Sequence, residues 1–163
     1  MAWRIKTPDR VISFHDAVQG HISQNLQQDI GDFILKRADG LFAYQLAVIV
    51  DDAEQGITHV VRGADLLNST PRQIFLQQTL HYTTPIYAHV PVANNAAGEK
   101  LSKQTLAQPI HSKNCAELLF HALQFLGQNP PESLQSEAKP IIWQWALANW
   151  QLDKVPAVKS KPA

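Results

Sequence analysis

The stretch that decides the fold is THVVRGADLL, residues 58–67, which is followed by STPRQ, residues 69–73. The first part predicts a short buried strand that ends at Arg62 and a glycine, where glycine permits a sharp turn or a close backbone approach. The second part predicts the start of a helix, with Thr70 as N-cap and a proline at the first helical position. This order of elements is typical of open α/β sheets, which bind ligands at the carboxyl ends of their strands.

An arginine at the end of such a strand suits the recognition of a planar carboxylate. Its guanidinium can donate two parallel hydrogen bonds to the two carboxylate oxygens. A salt bridge at the surface is the more common role of an arginine, and it contributes little to stability. The position of Arg62 therefore predicts either a binding residue or a surface ion pair.

A second polar segment, NNAAGEKLSKQ, spans residues 94–104. It places Lys100, Ser102 and Lys103 within four residues of one another, on a loop that contains Gly98. Lysine is a compact point charge on a flexible stem, and charge placed where a phosphoryl oxyanion develops lowers the barrier of the reaction. Short motifs also arise by chance, so the segment alone predicts either a phosphate-binding loop or a solvated surface loop.

The remaining pattern predicts strands that alternate with helices. The polar stretch 16–24 predicts a turn or loop, and Asp39-Gly40 between two apolar runs predicts a hairpin. The short apolar run within residues 44–52 is compatible with a strand or a helix. Strands are predicted within residues 3–14, 57–61 and 86–92, and helices over residues 71–81, 114–127 and 140–150.

Composition limits the class of protein. The 163 residues, 45% of them hydrophobic, are sufficient for one domain with a core. Net charge is zero, with 14 basic and 14 acidic residues, which argues against indiscriminate nucleic-acid binding but not against a local RNA-binding patch. Cys115 is the single cysteine and cannot form an internal disulfide. We expect a cytoplasmic protein, because we find no secretory signal and no apolar run of about 20 residues that could span a membrane.

Four segments in order carry a resemblance to a known family. They are GDFILKRADGLFAYQLAVIVDD (31–52), GITHVVRGADLL (56–67), STPRQ (69–73) and GEKLSKQ (98–104). Together they cover nearly half of the chain and resemble the second half of the catalytic core of class I aminoacyl-tRNA synthetases of the glutamyl type. The KLSKQ motif and the Ala64-Asp65 pair are most similar to the short paralogue that lacks an anticodon-binding domain.

The resemblance implies an α/β fold. The second half of a class I Rossmann-like catalytic core, residues 1–110, would be followed by a small α-helical region, residues 111–152. Residues 153–163 contain prolines, lysines and small side chains, and we expect them to be a disordered tail. The resemblance also implies that the ambiguous run within residues 44–52 is a helix.

The resemblance further implies an ATP-dependent ligase. Glutamate and ATP would give glutamyl-adenylate and pyrophosphate, and the glutamyl group would pass to the queuosine base in the anticodon loop of tRNA(Asp). Lys103 would be the catalytic residue that stabilises the departing pyrophosphate, and Lys100 and Ser102 would bind the ATP phosphates with it. Tyr44 and Arg62 would bind glutamate. Magnesium would enter as the ATP complex, and no zinc is expected in this chain.

Other chemistry-bearing residues are given structural roles. Asp51 and Asp52 are adjacent, and adjacent side chains on a helix point in different directions. His59 and His89 flank predicted strands, and the sequence pairs neither of them with a base or a metal. We therefore expect packed or surface side chains at these four positions.

Motifs of the family's first half are not found before Gly31. The sequence contains neither a Pro-Ser-Pro-Thr-Gly-like loop nor a HIGH-type histidine pair, and the paralogue's cysteine-rich zinc segment is also absent. We therefore expect the C-terminal portion of such an enzyme, inactive alone, with a separate N-terminal half as a candidate partner. Two alternatives are a fragment of a glutamyl-tRNA synthetase that charges tRNA(Glu), and an inactive remnant that binds tRNA or another partner.

Overall fold

The computed structural model describes residues 1–102 and 114–163. These residues form two compact units, 1–89 and 90–163, and each of them contains both helices and strands. The division falls earlier in the chain than the boundary after residue 110 that the sequence predicts. Residue 110 itself lies outside the described residues.

The first unit begins with two antiparallel strand pairs. In the first, β1 (Trp3–Ile5) pairs with β4 (Phe33–Lys36). In the second, β2 (Val11–Asp16) pairs with β3 (Gly20–Asn25) as a hairpin. A π-helical turn, Leu26–Ile30, leads from β3 towards β4.

The strand β3 corrects the prediction of a turn or loop over residues 16–24. The turn is confined to the residues between β2 and β3, where Asp16 Oδ1 accepts the backbone N–H groups of Val18 and Gln19 at 3.0 and 2.9 Å. Most side chains of β3 are half-buried or exposed. Polar residues are therefore tolerated in this strand, because one face of an antiparallel pair can be solvated.

The second part of the first unit carries the segments on which the resemblance depends. Helix α1 (Tyr44–Glu54) confirms that the ambiguous run is helical. Strand β5 (His59–Gly63) continues through a 3-10 helix, Ala64–Ser69, into helix α2 (Thr70–Thr79), and β6 (Ile86–Val90) pairs with β5. The predicted N-cap was wrong by one residue: Ser69 holds that position, because Thr70 already has helical backbone angles where the 3-10 helix continues into α2.

The apolar core of the first unit consists of two adjoining clusters. One contains Ile12, Leu26, Ile74 and Tyr87, and the other contains Phe33, Ile49 and Leu76. Ile30 and Phe75 pack against both clusters. Full burial of an apolar side chain of this size contributes about 1.5–3 kcal/mol, so α2, which supplies residues to both clusters, fixes the hairpin and α1 in one unit.

The second unit is mainly helical. Strand β7 (Val92–Asn94) is followed, within the described residues, by α3 (Cys115–Phe125), α4 (Lys139–Asn149) and β8 (Ser160–Pro162). Both helices confirm the sequence prediction. Their core is a cluster that also includes one residue from the connecting segment: Phe120, Leu123, Leu134, Ile142 and Ala146.

The final residues, 153–163, were expected to be disordered, and the structure corrects this. Strand β8 pairs in parallel with β7, and Val155 is buried. Lys161 Nζ donates to the backbone oxygen of Phe125 at 3.0 Å and lies 4.8 Å from the centroid of its ring. Backbone pairing and the contacts of Lys161 hold this segment in place. Neither interaction needs apolar side chains, and a prediction of disorder from composition therefore misses them.

Candidate functional site

Arg62 is the penultimate residue of β5. Three neighbouring side chains accept hydrogen bonds from its guanidinium. Nε donates to His89 Nε2 at 3.0 Å, and Nη2 donates to Thr70 Oγ1 at 2.9 Å and to Gln73 Oε1 at 2.7 Å. In the part of the chain that the structure describes, Nη1 has no hydrogen-bond partner. Nε and Nη2 are therefore engaged within this unit, and the predicted binding of a carboxylate by two parallel hydrogen bonds stays a prediction.

The first turn of α2 provides two of these acceptors. Thr70 and Gln73 are three residues apart, so their side chains share one face of the helix, and both are fully buried. The amide of Gln73 also donates to Gln45 Oε1 at 2.9 Å, and Gln45 donates to Ser69 Oγ at 3.2 Å. This chain of hydrogen bonds fixes Arg62 relative to both α1 and α2.

Behind Arg62 lies a buried pair formed by Asp16 and His89. The distance between Asp16 Oδ2 and His89 Nδ1 is 2.6 Å, and both side chains are fully buried. Burial lowers the pKa of His89, opposed by the hydrogen bond and charge of Asp16 and assisted by the charge of Arg62. The net direction is downward, so the imidazole is neutral at pH 7.

The pKa of Asp16 is also lowered, but for a different reason. Burial is the largest influence and raises its pKa, but hydrogen bonds from Gln19, His89 and Val18 outweigh burial and give a net lowering. A carboxylate that accepts several N–H groups favours its charged form. An ionised Asp16 therefore lies beside a neutral His89.

One tyrosine ring packs against Arg62, and a second tyrosine and a carboxylate lie within electrostatic range of this pair. The carbon Cζ of Arg62 lies 5.3 Å from the ring centroid of Tyr87. Burial raises the pKa of Tyr87, and the charges of Arg62, Asp52 and Tyr44 are near enough to influence it. Burial also raises the pKa of Asp52, opposed by Arg62. Asp52 is thus half-buried close to Arg62, whereas its neighbour Asp51 is exposed.

Tyr44 is the first residue of α1, and 49% of its surface is exposed. The structure shows no direct contact between Tyr44 and Arg62, although both lie near Tyr87. The two side chains predicted to bind glutamate therefore lie in one neighbourhood, and Tyr44 is accessible to a ligand there.

The lysine segment belongs to the second unit. The backbone of Lys100 forms an isolated antiparallel bridge with Asn94, and Asn95 Oδ1 accepts two backbone N–H groups of the intervening turn, both at about 3 Å. Lys100 is exposed and Ser102 is half-buried. Lys103, the predicted catalytic lysine, lies outside the described residues.

Sequence reasoning missed the partners of Arg62. His89 was predicted to lack a base, which is wrong because Asp16 contacts it directly. The two are 73 residues apart, so no local spacing indicates the pair. The available signal was the position of His89 in an apolar run predicted to be a strand, since a buried polar ring needs a hydrogen-bond partner.

Residues 1–102 and 114–163 contain neither a metal-binding cluster nor a membrane-spanning helix. No group of three or more His, Cys, Asp or Glu side chains there could hold a metal ion. No helix in the same residues has the length and apolar character needed to cross a membrane. Magnesium that is bound to ATP needs few protein ligands, because phosphates and water complete its coordination.

Comparison of the sequence with known protein families shows which family this chain belongs to. A family model described as tRNA synthetases class I (E and Q), catalytic domain, matches residues 1–139. The chain belongs to this family. The match confirms the resemblance predicted from the four segments, and all the candidate site residues of this synthetase chain lie within it: Tyr44, Arg62, Lys100, Ser102 and Lys103.

Relatives within the synthetase family extend along nearly the whole chain. A glutamyl-Q tRNA(Asp) synthetase from Thiobacillus denitrificans is 54% identical over 164 residues, which cover 99% of this chain and 54% of the relative. One from Dechloromonas aromatica is 57% identical over 155 residues, or 95% of this chain and 52% of the relative. The chain thus spans about half the length of the curated relatives that it matches.

A solved structure supports the fold of this synthetase chain. A crystal structure of glutamate-tRNA synthetase from Elizabethkingia anophelis matches with a TM-score of 0.72 and 25% identity, and covers 98% of this chain and 36% of that one. The similarity confirms the predicted α/β fold of a class I synthetase core.

Proposed function

We propose that this chain forms the glutamate-binding and phosphate-binding portion of an enzyme that activates glutamate with ATP and transfers the glutamyl group to tRNA. The observation that carries the proposal is the setting of Arg62. Its three hydrogen-bond acceptors are neutral groups, and within the described residues no carboxylate forms an ion pair with it. Its charge therefore remains available to an anionic substrate.

This setting supports the binding interpretation of Arg62 over a surface ion pair. A salt bridge would neutralise the guanidinium, whereas His89, Thr70 and Gln73 hold it in place without doing so. Glutamate has two carboxylates, and a carboxylate held by a cation is a poorer nucleophile. Arg62 accordingly binds the side-chain carboxylate, and the exposed Tyr44 contacts the same substrate.

In the first step, the α-carboxylate of glutamate attacks the α-phosphorus of ATP. The bond from that phosphorus to the bridging oxygen of pyrophosphate breaks, which gives glutamyl-adenylate and pyrophosphate. Lys100, Ser102 and Lys103 bind the phosphates, and Lys103 stabilises the charge that develops on pyrophosphate. Magnesium bound to ATP would supply positive charge that neutralises phosphate oxygens.

In the second step, a nucleophilic group of the acceptor attacks the glutamyl carbonyl, and AMP leaves. We propose the queuosine base in the anticodon loop of tRNA(Asp) as the acceptor. Relatives that are more than half identical over almost the whole chain are named glutamyl-Q tRNA(Asp) synthetases. The glutamate-tRNA synthetase structure matches at 25% identity, which favours tRNA(Asp) over tRNA(Glu).

A chimera tests this function. The chain replaces the matching half of the Thiobacillus denitrificans relative, and transfer of labelled glutamate is measured with three acceptors: tRNA(Asp) with queuosine, tRNA(Asp) without it, and tRNA(Glu). We expect label on the first acceptor alone. Arg62→Ala should raise the KM for glutamate about 100-fold, because it removes a hydrogen bond between charged groups.

Arg37→Ala is the matched control, since Arg37 is an exposed arginine paired with Asp39 at 2.6 Å. It should leave the KM for glutamate unchanged. Label on tRNA(Glu) would instead assign the chain to an ordinary glutamyl-tRNA synthetase. An unaltered KM in Arg62→Ala would contradict the role given to Arg62.

A further inference from the structure

The buried pair Asp16 and His89 is not used in the proposed reaction, although it contacts Arg62. Both side chains are 0% exposed. Asp16 Oδ1 accepts the backbone N–H groups of Val18, Gln19 and His89 at 3.0, 2.9 and 3.0 Å, and Oδ2 faces His89 Nδ1 at 2.6 Å. A charged carboxylate can remain buried here because both of its oxygens have donors.

The hydrogen bonds around the imidazole determine which nitrogen carries the proton. Because Asp16 Oδ2 is an acceptor, Nδ1 of His89 carries the proton and donates it. Nε2 therefore presents a lone pair, which accepts from Arg62 Nε at 3.0 Å and also faces the hydroxyl oxygen of Thr70 at 3.2 Å. Arginine can only donate, so a His89 protonated at Nε2 could donate to Thr70 Oγ1 but could no longer accept from Nε of Arg62.

We propose that Asp16 and His89 are positioning residues for glutamate binding. Asp16 fixes the tautomer of His89, His89 holds Nε of Arg62, and this orients Nη1 for the substrate carboxylate. Thr70 and Gln73 accept hydrogen bonds from the neighbouring Nη2. Hydrogen bonds at Nε and Nη2 together fix the orientation of the planar guanidinium. The inference rests on the proposed role of Arg62, and it adds the reason why the arginine is oriented before glutamate binds.

Asp16→Asn separates positioning from packing, because the side chain keeps its shape. The three backbone N–H groups retain the amide oxygen, so the amide NH₂ faces His89 Nδ1. The ring proton then moves to Nε2 and opposes the Nε–H group of Arg62. We expect ¹⁵N NMR spectra of the full 163-residue chain to report the opposite tautomer of His89 in this variant.

The same samples are titrated with glutamate, and the Nε–H resonance of Arg62 is followed. We expect Asp16→Asn to weaken glutamate binding about 10- to 100-fold, the usual effect of losing a hydrogen bond to a charged group. Asp32→Asn is the matched control, since Asp32 Oδ1 also accepts a backbone N–H, that of Thr7 at 2.8 Å. It should change neither the tautomer nor the affinity.

A double variant tests whether Asp16 acts through His89. Glutamine at position 89 can accept from Arg62 through its amide oxygen and has no ring tautomer. In the His89→Gln background, Asp16→Asn should therefore change glutamate affinity less than about twofold. An undiminished effect of Asp16→Asn in that background would mean that Asp16 does not act through His89, and it would overturn the inference.

The outcomes distinguish the inference from the proposed function. If the wild-type chain responds to glutamate and Asp16→Asn binds it equally well, or keeps the wild-type tautomer, the inference is wrong and the proposed function stands. If the wild-type chain does not respond to glutamate, or if Arg62→Ala binds glutamate as well as the wild type does, the role of Arg62 is wrong and the inference fails with it.

Discussion

At the scale of single residues, Arg62 and His89 show how a buried site keeps one positive charge. His89 is neutral and accepts a hydrogen bond, so the charge of Arg62 is neither shared nor cancelled in the contact between them. The same burial that keeps His89 neutral makes its protonation unfavourable. The stability of the fold should therefore depend on pH through this residue.

Acid is expected to destabilise the chain through His89. Its pKa in the folded state lies below the ordinary value of 6.5, so the unfolded state takes up a proton first as the pH falls through that value. The free energy of unfolding should then decrease below about pH 6.5, by at most about 1.4 kcal/mol per pH unit for this group. Denaturant unfolding at about pH 7.5 and about pH 5.5 measures the change.

His89→Gln provides the comparison, because it removes the titrating ring and keeps an acceptor for Arg62. The difference in stability between the two pH values should be smaller in this variant than in the wild type. Asp16 does not contribute to the difference between these two pH values. Its pKa is lowered from 3.8, so the stability that it provides is present above that value and is lost only in stronger acid. Equal pH dependence in both proteins would show that His89 is not the group responsible.

At the scale of elements, the end of α3 depends on the segment that follows α4. Gly127 lies two residues beyond Phe125 with φ at +73°, a backbone conformation that favours glycine. A Cβ added there would clash with the backbone oxygen of Lys154. The 3-10 turn Leu152–Lys154 therefore packs directly on the helix end.

Gly127→Ala should destabilise the second unit by more than about 2 kcal/mol, because strain at a positive φ is added to a clash with backbone. Gly98→Ala is the control within the same unit. Its φ is +80°, but no atom lies within 4 Å of the added Cβ, so only the conformational cost of about 1 kcal/mol applies. Thermal unfolding of the two variants measures the difference, and equal losses would contradict the packing of the turn on α3.

The elements also show which patterns can be recognised from sequence. Helices α3 and α4 were predicted because their apolar residues recur at helical spacing and a glycine or proline marks an end. Strands β3 and β8 were missed because polar residues form them, and their stability comes from backbone pairing with β2 and β7. Pairing of that kind is not visible in the residues of one strand.

At the scale of the whole molecule, the proposed site residues are divided between the two units. Tyr44 and Arg62 belong to residues 1–89, and Lys100 and Ser102 belong to residues 90–163. The apolar clusters are likewise confined to one unit or the other. Substrate binding and phosphate binding are therefore expected to respond separately to mutation.

The 163-residue chain alone is expected to give no glutamate-dependent exchange between ATP and pyrophosphate. It matches only 54% of its Thiobacillus denitrificans relative, and the activity of that relative is proposed to require both halves. The chimera described above should restore exchange, and its Arg62→Ala variant should need about 100-fold more glutamate for the same rate. Robust exchange by the chain alone would overturn this view and place a complete site within it.

The sequence by itself determined the family, the order of most strands and helices, and the residue types that suit glutamate and phosphate. These follow from local patterns: apolar spacing, glycine and proline positions, and short motifs. Only the tertiary structure decided that Asp16 lies against His89, and that His89, Thr70 and Gln73 hold Arg62 with Nη1 remaining. The physical reason is that these hydrogen bonds join different elements, and those to His89 join residues 27 and 73 positions apart. Burial both creates the need for a partner and sets the charge of the group that is bonded.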